Sequence, residues 1–134
     1  MSFKKAFQHY KNADHLLTVT FPLIKDPKLF LGIIENILKV LEIYFDQLIE
    51  TKEPSLEAKV RLLTTKNICD EDILQLALKL NSILVKHKFS PVEFRKKEMF
   101  VICNENYDLE IITVEELKLY LRQTKQLLDN LNRN

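Results

Sequence analysis

Asp14, His87 and Arg95 are the side chains of this sequence whose types and settings point most directly to chemistry. Asp14 falls four positions after Tyr10 and seven after Phe7, at or beside the apolar face of a first helical segment. A carboxylate there needs a partner, because desolvating an isolated charge costs several kcal/mol. It is either a site carboxylate or a boundary residue reaching solvent or a neighbouring helix. His87 extends the face carried by Leu80 and Leu84. An imidazole titrates near neutral pH and can carry a proton; its plainer role is to neutralise the last carbonyls of its helix. Arg95 belongs to a basic run, Lys86, Lys88, Arg95, Lys96 and Lys97, interleaved with Phe89 and Phe94. Such a run either meets phosphates or forms a solvated boundary between elements. General acid–base catalysis would require these groups to converge within hydrogen-bond reach of the reacting atoms.

Other chemistries lack their residues. His9 and His15 are six apart on one helix, unlike the i, i+4 pairs that metals favour. Cys69 and Cys103 have no second thiol or imidazole close enough for a metal knuckle, and read as reduced, small apolar residues. Gly32 is the single glycine, so Gly-rich phosphate loops are excluded. No metal or cofactor is expected. Asn36 sits at the edge of an apolar helical surface, where an amide can pair across helices and fix register.

The elements that must position these residues are mostly helices. Phe3, Ala6, Phe7, Tyr10, Ala13 and Leu17 recur at steps of three and four, which predicts a first helix from Ser2 to about Val19. Thr18-Val19-Thr20 and then Pro22 are expected to end it. Asp26-Pro27 opens a second helix that is expected to reach Lys52, ahead of Glu53-Pro54. On its wheel Glu35, Lys39, Glu42, Asp46 and Glu50 share one stripe. Apolar residues fill an arc of about 200°, against a little over 100° for an ordinary surface helix. A short helix from Ser55 to Thr65 follows, then one starting near Asn67 or Asp70 with acids in its first turn and Lys86 and Lys88 near its end. Ser90-Pro91-Val92-Glu93 reads as one helical turn. Met99-Phe100-Val101-Ile102 and Leu109-Glu110-Ile111-Ile112 form a β-hairpin, and the capping box Thr113-Val114-Glu115-Glu116 starts the last helix.

The expected fold is therefore mainly α: an up-and-down bundle of four to five helices with a short β-hairpin before the C-terminal helix, forming one domain over residues 1–134. With 134 residues the chain can bury a substantial core without a staple. A net charge of +1 argues against bulk electrostatic gripping of nucleic acid or anionic membrane. The stretch Leu29 to Ile49 carries a charge about every four residues, so it is no membrane span. The polar N-terminus is no secretory signal, and the expected location is the cytoplasm.

Tyr10-Lys11-Asn12-Ala13-Asp14-His15-Leu16-Leu17, followed by the long apolar helix from Asp26 to Lys52, resembles the helical HEPN domains. The resemblance covers most of the chain by helix order. It implies a helical fold and a tendency to dimerise. HEPN ribonucleases carry an Arg followed four to six residues later by His; here Arg61 is followed by Asn67, so no catalytic role is carried over.

Two functional expectations follow. The first is a non-catalytic interaction module that pairs with a second copy or another small protein through Leu31, Ile34, Leu38, Leu41 and Phe45 on the long helix. The second is an RNA-cleaving or nucleotide-handling enzyme of HEPN type, with Asp14, His87 and Arg95 as its site. A weaker third reading has the hairpin edge between Met99 and Ile112 recruit an extended peptide.

Overall fold

The structure is a computed structural model that describes residues 2–49, 55–89, 92–96, 98–103, 106 and 108–133. Six α-helices occur among the described residues: α1 (Ser2–His15), α2 (Phe21–Ile24), α3 (Leu29–Leu48), α4 (Leu56–Lys66), α5 (Glu71–Phe89) and α6 (Val114–Arg133). Strands β1 (Val92–Lys96), β2 (Met99–Cys103) and β3 (Leu109–Thr113) form an antiparallel sheet in that order before α6. The helical bundle with a β-hairpin ahead of its last helix is thus as the residue pattern requires. No helix among the described residues is long and apolar enough to cross a membrane.

The helix starts follow their capping chemistry. Ser55 Oγ accepts from the Ala58 amide at 3.1 Å to open α4, and Asp70 Oδ1 accepts from the Asp72 amide at 2.9 Å to open α5. Thr113 and Glu116 close a reciprocal box at the start of α6: the Glu116 amide donates to Thr113 Oγ1 at 3.3 Å, and that hydroxyl donates to Glu116 Oε1 at 3.2 Å. Asn67, with φ 53°, ends α4 in the left-handed conformation that asparagine tolerates better than most residues.

The first helix departs from expectation. It does not stop at Val19 or Pro22 but passes through a π turn, Leu16–Thr20, and continues as α2 to Ile24. Phe21 stays helical although it precedes proline, and its amide donates to the Leu16 carbonyl five residues back. A regular turn would drive the Pro22 ring against the carbonyl four residues earlier; the wider turn relieves that clash. The chain finally reverses at Lys25, whose φ is 58°.

The helical turn expected at Ser90–Glu93 is also corrected. Ser90 and Pro91 lie outside the described residues, and Val92 begins strand β1, where it pairs with Cys103. Pairing along all of β2 outweighs the local capping signal. The hairpin of β2 and β3 is present, with Phe100 opposite Ile112 and Ile102 opposite Glu110. Because β1 covers one side of β2, the hairpin edge expected to recruit a peptide is reduced to β3 alone.

The decisive correction concerns α3. This helix ends at Leu48, with Ile49 already extended; the expected continuation to Lys52 and the Glu53-Pro54 stop lie outside the described residues. It runs through the middle of the molecule, against α1, the π turn, α4, α5 and α6. Leu31, Ile34, Leu38, Leu41 and Phe45, expected to meet a second polypeptide, are each at most 8% exposed in the single chain. The wide apolar arc is a measure of centrality, since five neighbouring elements leave only Glu35, Lys39, Asp46 and Gln47 of this helix exposed. Gly32 faces the π turn, where a Cβ would stand 3.4 Å from Leu16 Cδ1, about van der Waals contact. Asn36 ties the same pair of helices, donating to the Gly32 carbonyl at 2.8 Å while its Oδ1 pairs with His9 Nδ1 at 3.2 Å.

Candidate functional site: a trough along the first and last helices

α1 and α6 run side by side, and the π turn changes how their surfaces meet. On α1, Ala6 and Ala13 are fully buried, while Tyr10 between them already borders the seam with α6. Beyond Ala13 the helix carries one extra residue in its turn, so Thr18 and Pro22 are left at the surface rather than in the interface. Between this stretch and the N-terminal half of α6 lies a cavity of about 890 Å³, lined by Leu17, Thr18, Phe21, Pro22, Lys25, Glu98, Val114 and Lys118. A second, of about 550 Å³, continues along the same seam past Tyr10, Asp14, Leu121, Arg122, Lys125 and Asp129. The two share Leu17, Thr18 and Lys118, and form one open trough. From Tyr10 to Lys25 it measures roughly 22 Å at 1.5 Å per residue.

Its floor is apolar, with Leu17, Phe21, Val114 and Leu121 nearly or fully buried. Its α6 wall carries exposed Lys118, Arg122 and Lys125, spaced four and three residues apart and therefore on one helical face. Lys125 leans on Asp129 at 2.7 Å and Lys118 on Glu115 at 3.8 Å; Arg122 makes no ion pair among the described residues. The α1 wall carries the single carboxylate Asp14, one turn from Thr18, whose hydroxyl donates to the Asp14 carbonyl at 2.8 Å. The Tyr10 hydroxyl reports the local field: burial pushes its pKa up first, Asp14 adds to this, and Lys125 opposes it.

The expected catalytic residues do not assemble. Asp14 is half-buried on the trough wall. His87 sits at the end of α5 against the sheet, its Nδ1 hydrogen-bonded to Glu93 Oε2 and its ring edge-on to Phe100 with centroids 6.3 Å apart. Neither cavity of the trough reaches His87, which contacts the sheet instead. Arg95 lies in β1 opposite Phe100 in the register, and its side chain is outside the described residues. Asp14 and His87, expected to share an acid–base site, therefore occupy two separate settings.

His87 has a structural role instead. Glu93 and Glu110 flank Ile102 across the sheet, one on each outer strand. The first takes His87 and the second takes Lys86 at 3.3 Å, so the cationic end of α5 clamps both edges of the sheet. Cys69 is equally inert: burial, then Asp70, push its thiol up to about 11.

Residues of the trough that sequence reasoning missed are Thr18, Phe21, Pro22 and Lys25 on one side and Lys118, Arg122 and Lys125 on the other. Pro22 read as a terminator, which hid that wall. The spacing of Lys118, Arg122 and Lys125 is present in the sequence, but three basic residues on one helical face mark no chemistry by themselves. No protein-family model, curated protein or solved structure matches this chain.

Proposed function

We propose that the protein is a non-catalytic helical interaction module, and that the α1–α6 trough, rather than the long helix, is where it receives a protein partner. The observation that carries this reading is an open, apolar-floored channel between two helices, bordered by exposed Thr18, Lys118 and Arg122. Small-molecule sites bury most of their ligand in a closed pocket with a few aimed polar groups, and this channel is longer and more open than that. Exposed apolar side chains at its π-turn end, Leu23 at 81% and Ile24 at 61%, extend the surface available to a macromolecule. The reduced thiols Cys69 and Cys103, neither in a disulfide, go with a cytoplasmic setting.

Site-specific photo-crosslinking in cells expressing the chain tests this. A benzophenone side chain at Thr18, inside the trough, is expected to trap a discrete protein adduct, while the same group at exposed Arg61 on α4 is expected to trap none. Equal labelling at both positions, or adducts at Arg61 alone, would overturn the reading.

A further inference from the structure

We infer that the occupant of the trough is an amphipathic α-helix of a partner protein, about four turns long, with acidic residues along one flank of its apolar stripe. This rests on the interaction-module reading and names the chemistry of the partner.

The shape argues for a helix. Both walls are helices, so the channel offers no free strand edge to an extended peptide, and its floor is a narrow apolar strip. A helix laid along such a strip buries residues at i, i+3, i+4 and i+7. The usable length of roughly 22 Å accommodates about fifteen helical residues.

The charges argue for acids, and on one side only. Lys118 and Arg122 stand one helical turn apart on the α6 wall, a spacing that carboxylates at i and i+4 of a docked helix would match, while Lys125 beyond them is already paired with Asp129 at 2.7 Å. Lys25 adds a fourth cation at the π-turn end. The α1 wall holds Asp14, so acidic residues facing that side would be repelled. A partner with one acidic flank and one neutral flank satisfies both walls, and the asymmetry fixes which way it faces.

The same features disfavour a nucleic acid. With Asp14, Glu98 and Asp129 among four cations, the lining has little excess positive charge for a continuous phosphate backbone, whereas a single acidic flank can be placed beside Lys118 and Arg122 alone. Among the described residues Tyr10 is the sole aromatic ring lining the outer cavity, and Phe21 is buried in the floor, so stacking of successive bases has no platform there.

The test uses the full chain and a designed fifteen-residue helical peptide with leucines at the stripe positions, glutamates along one flank and glutamines along the other. A matched peptide carries lysines in place of the glutamates, and a uridine oligonucleotide serves as a third probe. Amide NMR shifts are expected to map the glutamate peptide to residues 10–25 and 114–129, with affinity falling as salt is raised. Lys118→Glu with Arg122→Glu is expected to weaken it on the order of tenfold or more. Both positions are exposed, and an unchanged helical circular dichroism spectrum shows that the double variant folds. Equal binding of the lysine peptide, displacement by the oligonucleotide, or no glutamate-peptide binding would overturn the inference. If a protein adduct forms at Thr18 while the glutamate peptide fails to bind, the partner's chemistry is wrong and the module reading survives. If no adduct forms there, the module reading itself falls.

Discussion

α3 and the α1–α6 trough are both strongly apolar, yet the molecule treats them in opposite ways. α3 is surrounded by α1, the π turn, α4, α5 and α6, and Phe30, Ile33, Ile34, Ile37, Leu41 and Phe45 are all fully buried. Each such side chain contributes about 1.5–3 kcal/mol relative to exposure. The trough has apolar residues at its base but opens to solvent through Thr18, Pro22, Lys118 and Arg122. The difference teaches that the width of an apolar arc reports how many neighbours a helix has and is silent on whether they belong to its own chain. Partner-binding surface arises here where a regular helix is interrupted.

Substitutions separate the two regions most sharply by stability. Ile37→Ala in the centre of α3 is expected to cost about 2–5 kcal/mol, read as a fall in the urea midpoint. Phe45→Ala belongs to the same class, at about 3–5 kcal/mol. A cost below about 1 kcal/mol for either would mean that α3 is not internal. In the trough, Thr18→Arg is expected to change stability by no more than about 0.5 kcal/mol while abolishing the Thr18-side contact with a partner, because an exposed position is altered without disturbing the floor.

Self-association offers a second contrast. Sedimentation of the isolated chain at micromolar concentration is expected to give a single species near the monomer mass of 15.9 kDa. A dimer whose affinity is lost in α3 variants that still fold would restore the long helix as an interface.

A further contrast concerns Cys69, which lies away from the trough. With its thiol raised to about 11, little thiolate exists at mildly alkaline pH. Alkylation by iodoacetamide at pH 8 is expected to be about 100-fold slower than for an unperturbed thiol, following the thiolate fraction. The shift is upward, so reactivity recovers only as pH approaches the raised value. Reaction at the ordinary rate would show that the Tyr44–Asp70 corner around this thiol is open to solvent.

Most of the fold was legible because it rests on local signals. Ser55, Asp70 and Thr113 cap their helices as their side chains dictate, and the change from helical to alternating period located β2 and β3. Where the reading failed, a longer-range term prevailed. Val92 and Glu93 became strand because β2 supplies hydrogen bonds along its length. Pro22 stayed in a helix because a π turn relieved its clash, and no residue pattern announces such a turn. The site was less legible than the fold. Asp14 does line the trough, but the residues that give the trough its shape and charge were individually ordinary. His87 stood out by type, yet Glu93 claims it for structure.

Amide hydrogen exchange of the isolated chain at two concentrations tests most directly whether α3 is satisfied by its own polypeptide while the trough stands open. Residues 30–45 are expected among the slowest to exchange, with protection independent of concentration, and residues 18–24 among the fastest. Protection of α3 that rises with concentration, or a π turn as protected as α3, would contradict it.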